Sequence, residues 1–386
     1  MTNQKTHYET LIKLCNEDPE FFFSEQTDNG KVYHIFNYRL ASYDSFLHNK
    51  NPEFTPEIVL SARGIMFDVT DLNNPKIVSR PMNKFFNIEQ GDVDFEKEGY
   101  KLVGYMDKLD GSLISTYLDG YTIKFKSKGS INSDQSKAAT EWYNNLDKDE
   151  YESFIKFVEN SVYSGMTVNF EWTAPDNQIV LFYPEPKLTI LNVVVNSNGK
   201  VLTSPDNTID SKYYTKDWVT YHEVPKLSFD ELLKNIRAEQ GNEGYIFEYY
   251  NANTQHTLFV KVKNLWYCNL HHIKSDFNTN YKICEAIIDE YSDDLRAMFI
   301  TDQVFLNNIE KLENWLMPQV SAKIAEFENF YQENKHLDRK SYAIKANSTY
   351  KFSMSRVMNL YLGKNPDYKE FFKKNLIEIF GDPENV

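Results

Sequence analysis

The sequence predicts an α+β fold, with largely antiparallel sheets over residues 1–270 and an all-helical C-terminal domain over 271–386. Three observations carry this. Short apolar runs rich in Val, Ile, Tyr and Phe recur through the first part and are joined by tight turns, which favours antiparallel pairing. Asp119-Gly120, between the runs 113–118 and 121–126, is a two-residue hairpin signal. Past residue 270 helical spacing takes over: Phe305, Ile309, Leu312 and Leu316 share one face, and beyond Pro318 the residues Val320, Ile324, Phe327 and Tyr331 repeat it.

The elements follow in order. Residues 8–16 read as a short helix with Leu11, Ile12 and Cys15 inward. Strands are expected at 31–38, over 57–69, and through the β region 100–126. A helical interlude over 135–160 is followed by strands at 167–172, 178–183 and 187–195, the last ending in the turn Ser197-Asn198-Gly199. Ser228 and Glu231 form a capping box for a helix over 229–238, because each side chain can satisfy the other's free backbone amide. A strand pair at 244–250 and 256–262 closes the β-rich part.

Composition narrows the function classes. At 386 residues the chain can bury a sizeable core, and 41% hydrophobic with 25% charged residues is an ordinary globular balance. A net charge of −14 argues against coating nucleic acid with the whole surface, so any anion site must be a local gathering of lysines. Cys15, Cys268 and Cys284 are too far apart for metal-type spacing and suit a reducing, cytosolic compartment. No apolar run is long enough to span a bilayer, the N-terminus carries no signal-peptide pattern, and there is no internal repeat or low-complexity stretch.

The chemistry starts at Lys108-Leu109-Asp110-Gly111-Ser112. An ammonium that is desolvated or set beside other cations releases its proton more readily, and the free amine can attack an α-phosphate to give a phosphoramide. Asp-Gly alone is also a turn dipeptide. Lys126-Ser127-Lys128 and Lys261-Val262-Lys263 each place two lysines on one strand face, as a solvated edge or as a grip on a polyphosphate. Glu171 in Asn-Phe-Glu-Trp and Glu243 in Glu-Gly-Tyr-Ile stand beside apolar strands, where hard carboxylate oxygens suit a ribose hydroxyl or Mg²⁺. His271-His272 is read as structural, since neighbours on a helix diverge and no third ligand is apparent. Lys335, Arg339, Lys340, Lys345, Lys351, Arg356 and Lys364 interleave with Tyr342, Tyr350 and Tyr361, which fits either an RNA-stacking surface or a solvated helical one.

In order, Lys-x-Asp-Gly-Ser, Asn-Phe-Glu-Trp, Glu-Gly-Tyr-Ile and Lys-Val-Lys resemble motifs I, III, IV and V of covalent nucleotidyltransferases. Ala62-Arg63-Gly64-Ile65-Met66-Phe67, the segment 79–87 and Phe125-Lys126-Ser127-Lys128-Gly129-Ser130 further resemble the bacteriophage RNA ligase 1 family. The resemblance covers nearly the whole chain and is strongest from 31 to 272. It implies an adenylyltransferase domain over 1–270 and a helical domain over 271–386 that contributes RNA or tRNA specificity. It implies ATP as cosubstrate, Mg²⁺ as cofactor with Mn²⁺ as a substitute, and single-stranded RNA, or tRNA broken in its anticodon loop, as partner. An end-healing kinase/phosphatase would work alongside, in the cytoplasm of an infected bacterial host.

Residue by residue, the resemblance makes Lys108 the adenylated nucleophile. Tyr38, Arg63 and Lys84 match binders of the β- and γ-phosphates, and Lys261 and Lys263 match the α-phosphate pair. Glu171 and Glu243 match the acids of motifs III and IV, Lys128 a required lysine, and Tyr267 an active-site tyrosine. Asp293 matches an acid associated with bound metal, with Glu243 as a second metal contact. The rivals are a DNA ligase, a capping guanylyltransferase, or a non-catalytic RNA-binding module. The first two usually end in a barrel rather than helices, and the third requires loss of a key residue.

Overall fold

The computed structural model describes residues 4–39, 41–49, 51–90, 95–177, 179, 181–203, 216–272, 279–298 and 303–386. By its contacts the chain divides into Met1–His272 and Ile273–Val386.

The first unit is built on three sheets. One has the order β1 (Phe21–Asp28), β2 (Lys31–Tyr38), β3 (Met66–Asp68), β4 (Lys76–Ser79). A second has the order β11 (Val201–Leu202), β10 (Lys187–Val195), β9 (Met166–Thr173), β7 (Ser112–Asp119), β8 (Thr122–Ser127). The third has the order β12 (Tyr221–His222), β6 (Lys101–Asp107), β13 (Gly244–Asn251), β14 (His256–Lys263), β5 (Phe86–Asn87). All described pairings between these strands are antiparallel except β14 with β5.

Helices cover these sheets because their apolar stripes have nowhere else to go. α1 (Gln4–Glu17), α2 (Tyr43–Leu47) and α3 (Pro56–Ser61) pack with Phe21, Phe36 and Phe67 of the first sheet. α4 (Asp134–Asn144) and α5 (Glu152–Tyr163) seal the second sheet through Phe154, Phe157 and Val158 against Phe125, Phe170 and Trp172. α6 (Phe229–Ala238) lays Leu232 and Ile236 on Phe247, Val260 and Val262 of the third sheet. Its expected capping box is present: the Glu231 amide donates to Ser228 Oγ and the Ser228 amide to Glu231 Oε2. α7 (Leu265–His272) ends the unit.

The second unit contains α8 (Asn280–Ile288), α9 (Ser292–Met298), α10 (Gln303–Asn334), α11 (Arg339–Thr349), α12 (Met354–Tyr361), α13 (Tyr368–Lys374) and α14 (Leu376–Phe380). Among the described residues no helix is long and apolar enough to cross a membrane.

Several local expectations change. Residues 57–61 are helical rather than strand, because Pro56 in the first turn pre-sets helical φ after the extended Thr55. In α1 the buried face is His7, Tyr8, Leu11 and Leu14, while Ile12 and Cys15 are half-buried. The hairpin loop is Gly120-Tyr121, with Gly120 at φ 64°, and Asp119 stays in the strand. Asp119 is held there by Lys124, Lys31, Asn29 and Tyr33, which overcome its burial and keep its carboxyl below the usual range. The helical spacing expected on both sides of Pro318 belongs to one helix: α10 runs through the proline, and Gln319 Nε2 donates to the Trp315 carbonyl at 2.8 Å. The apolar face stays in phase across the proline, so burial of Leu316 and Val320 outweighs the lost backbone bond.

Candidate active site

β6 and β7 are joined by the segment 108–111, and strand pairing fixes where that segment lies. The Lys108 amide donates to the Gly244 carbonyl at 2.9 Å, at the start of β13. The Gly111 amide donates to Glu171 Oε1 at 2.9 Å, on β9. Gly111 is glycine for closeness: a Cβ there would lie 2.3 Å from the Trp172 carbonyl oxygen. Asp110-Gly111 is therefore a crossing between two sheets, not the tip of a hairpin.

Asp110 is buried and ties the crossing down. Its Oδ1 accepts from the Tyr267 hydroxyl at 2.8 Å, and its Oδ2 from the Leu181 amide at 2.7 Å. Its own amide donates to the Tyr183 hydroxyl at 3.2 Å. The expected strand at 178–183 is consequently not formed at the described residues 179 and 181–183. There the chain spends its hydrogen bonds on Asp110 instead of on a ladder.

The Lys108 ammonium lies 2.6 Å from Glu243 Oε1, and Lys263 lies 3.3 Å from the same oxygen. Lys263 also sits 5.4 Å above the Tyr267 ring. The expected neighbours of the lysine were cations; its closest partner is a buried carboxylate. Glu243 is likewise the anion that Lys263 of the strand-end pair meets.

Around this pair the other cations stand on aromatic faces. Lys84 donates to the Tyr38 hydroxyl at 3.2 Å, and Lys128 lies 4.5 Å from the centre of the Tyr38 ring. Arg63 and Lys261 lie 5.6 and 5.8 Å from the Phe85 ring, and Arg63 donates to the Met82 carbonyl. A ring face attracts a cation through its quadrupole and carries no net negative charge, so such contacts orient the cation. Gly64, at φ 96°, lets this layer close: a Cβ would meet the Lys128 carbonyl oxygen at 2.6 Å.

Two groups titrate near neutrality. Glu171 is pushed up to about 7, chiefly by burial, with Lys108, its bond from Gly111 and Arg63 opposing and Glu243 assisting. Lys126 is fully buried, and burial together with Arg63 lowers it to about 7. Its ammonium donates to the Ser127 carbonyl at 3.1 Å. Edge strand β8 therefore does not merely present solvated lysines.

A family model described as RNA ligase matches residues 61–267, more than half of the chain. The chain belongs to the RNA ligase family. A second model, described as T4 RNA ligase 1, C-terminal domain, matches residues 274–380. A Thermovibrio ammonificans protein described as "Putative RNA ligase" is 24% identical over 281 residues, covering 71% of this chain and 70% of that one. An archaeal ATP-dependent RNA ligase structure is similar with TM-score 0.47 and 11% identity, covering 92% of this chain and 96% of the other. A Naegleria gruberi RNA ligase with PPi is similar with TM-score 0.37 and 11% identity, covering 52% of this chain and 61% of the other.

In this ligase the first unit brings together Tyr38, Arg63, Lys84, Lys108, Lys128, Glu171, Glu243, Lys261, Lys263 and Tyr267 through the contacts above. Asp293 stands in the first turn of α9 in the second unit. Among the described residues no three His, Cys, Asp or Glu side chains gather to hold an ion. Glu243 Oε1 already carries two ammonium contacts, so a protein-only metal cage does not fit here. The side chains of His271 and His272 lie outside the described residues.

Sequence reasoning gave no role to Asp110 or Tyr183, and read Lys126 only together with Lys128, as a solvated edge or a grip on a polyphosphate. Lys126 carried a signal, its i, i+2 spacing from Lys128. Tyr183 carried none, because its partner Asp110 is distant in sequence. In the second unit Tyr342 is buried, while Tyr350 and Tyr361 are half-buried. Tyr342 is buried with its hydroxyl on the Val357 carbonyl, Tyr361 lies 4.4 Å from it, and Tyr350 packs on Phe327 and Phe330.

Proposed function

We propose that this ligase uses ATP to join 5′-phosphate and 3′-hydroxyl ends of single-stranded RNA through AMP carried on Lys108. The observation that supports the reading most is the Lys108–Glu243 pair at 2.6 Å, set among Arg63, Lys128 and Lys261, each of which lies over an aromatic ring. In a chain of net charge −14, that local excess of cations is an anion site.

In the first step Lys108 gives up a proton, for which the Glu243 carboxylate is the nearest acceptor. The amine then attacks the α-phosphorus: an N–P bond forms, the bond to the bridging oxygen breaks, and pyrophosphate leaves. Arg63, Lys84, Lys128, Lys261 and Lys263 would neutralise phosphate charge during attack and departure. In the second step an oxygen of the RNA 5′-phosphate attacks the adenylyl phosphorus, the N–P bond breaks, and Lys108 is released. In the third the RNA 3′-hydroxyl attacks the activated 5′-phosphate and expels AMP. A divalent ion, Mg²⁺ or Mn²⁺, would enter with the nucleotide phosphates and add to that neutralisation. Asp293 and Glu243 belong to the proposed metal contacts only through the family resemblance.

A tRNA broken in its anticodon loop is the proposed natural substrate, with a separate kinase/phosphatase preparing its ends and the helical unit contributing specificity. Sealing is the test. A 5′-labelled single-stranded RNA incubated with ATP and Mg²⁺ should circularise or join, with an adenylated RNA as intermediate. Sealing only of nicked DNA, or use of GTP in place of ATP, would favour the rival nucleotidyltransferases.

A further inference from the structure

Three of the described residues after β9, Asn177, Leu181 and Tyr183, bond to the Lys108–Ser112 stretch. Asn177 Oδ1 accepts from Ser112 Oγ at 3.1 Å, and Asn177 Nδ2 donates to the Trp172 carbonyl at 2.9 Å. The Leu181 amide and the Tyr183 hydroxyl hold Asp110 from both sides. Between those last two anchors stands Phe182, with 63% of its surface exposed, and Ile179 nearby is 49% exposed.

A single exposed apolar side chain is ordinary. Phe182 differs in what its chain neighbours hold: the Leu181 amide and the Tyr183 hydroxyl both bond to Asp110. Its neighbours on both sides bond to a residue two positions from Lys108, a chain span of at most about 7 Å. The exposed rings Tyr121 and Tyr163 lie instead by the Gly120 loop, where the Tyr163 hydroxyl donates to the Tyr121 carbonyl. That is the other end of β7, roughly 25 Å away at the usual rise of an eight-residue strand.

The reaction requires the RNA 5′-phosphate to reach the adenylyl group on Lys108, so the 5′-terminal nucleoside must lie beside that lysine. The lysines of the pocket address phosphate. They offer nothing to the flat, apolar face of an unpaired base, which single-strand binders meet with an aromatic ring. We propose that Phe182, flanked by Ile179, is the platform on which the 5′-terminal base of the RNA stacks during transfer of AMP from Lys108. This rests on the RNA-sealing reaction proposed above.

The test uses the full chain and two 5′-phosphorylated oligoribonucleotides, one with a normal 5′-terminal adenosine and one with an abasic 5′-terminal residue. The unmutated ligase should show a KM for sealing about tenfold lower for the adenosine-ended RNA, within the range for one base stacked on one ring. Phe182→Ala should lose that discrimination, Phe182→Leu should lose most of it, and Phe182→Trp should restore it. Equal KM values for both RNAs with the unmutated chain, or retained discrimination in Phe182→Ala, would overturn the proposal while leaving the sealing reaction standing. Loss of the ATP-derived adduct in Phe182→Ala would also overturn it, because Phe182 would then be a prop for Asp110. No sealing of either RNA by the unmutated chain would instead refute the reaction itself.

Discussion

Glu171→Gln isolates the energetic consequence of placing a carboxyl between the Lys108 crossing and β9. The amide oxygen of glutamine can still accept from Gly111, so the change removes the charge and keeps the bond. Moving the carboxyl from 4.5 to about 7 corresponds to on the order of 3 kcal/mol of lost preference for its ionised form. The sign follows from proton counting. Between pH 4.5 and about 7 the folded chain holds a proton that the unfolded chain has released, so stability falls as pH rises through that window. The penalty is absent well below pH 4.5 and complete above about pH 7. Glutamine carries no such penalty. Urea unfolding followed by tryptophan fluorescence should therefore show the variant more stable by about 3 kcal/mol at pH 8, and by less than about 1 kcal/mol at pH 5. A gain of the same size at both pH values, or a loss at pH 8, would refute the electrostatic reasoning about Glu171.

Further predictions concern the groups around it. Lys126→Met removes a buried amine whose proton is held less tightly than in water, a cost complete below about pH 7 and fading toward 10.5. The variant should gain stability in urea unfolding at pH 6 and show that gain shrinking at pH 9.5; a gain that grows with pH would contradict the burial assignment. Asp110→Asn presents an amide N–H₂ to one of the two donors that Asp110 now accepts, from Tyr267 and Leu181. Leaving such a buried donor unpaired costs about 1–3 kcal/mol, more where a charged acceptor is lost. Thermal unfolding should shift down, and adduct formation from labelled ATP should slow at least tenfold. A variant as stable and as fast as the unmutated chain would remove Asp110 from the positioning of Lys108.

Much of the first unit was legible because its determinants are local. The alternation of β13 and β14 and the Ser228/Glu231 box each fix an element within about ten residues, and both stand where their spacing put them. Asn29-Gly30 is an equally local signal, with φ of 49° and 77° in the β1–β2 hairpin, and its partner strand Phe21–Asp28 could have been read from it. The helix at 56–61 misleads because Ile58, Val59 and Leu60 favour a strand while Pro56 decides the backbone. The types of the site residues were legible as an ordered series of motifs. Their partnerships were not. Lys108 meeting Glu243, and Asp110 meeting Tyr267 and Leu181, join residues more than seventy positions apart. Burial of Lys126 depends on the φ of Gly64, which lets the chain at Lys128 come close.

The central claim is that Lys108 carries the nucleotide. The direct measurement is incubation of the full chain with α-labelled ATP and Mg²⁺, denaturation, and peptide mapping of the labelled protein. The expected result is one acid-labile phosphoramide adduct on Lys108, absent in Lys108→Ala and absent when γ-labelled ATP is used. An unmutated chain that acquires no label, or one whose label persists in Lys108→Ala, would contradict the account.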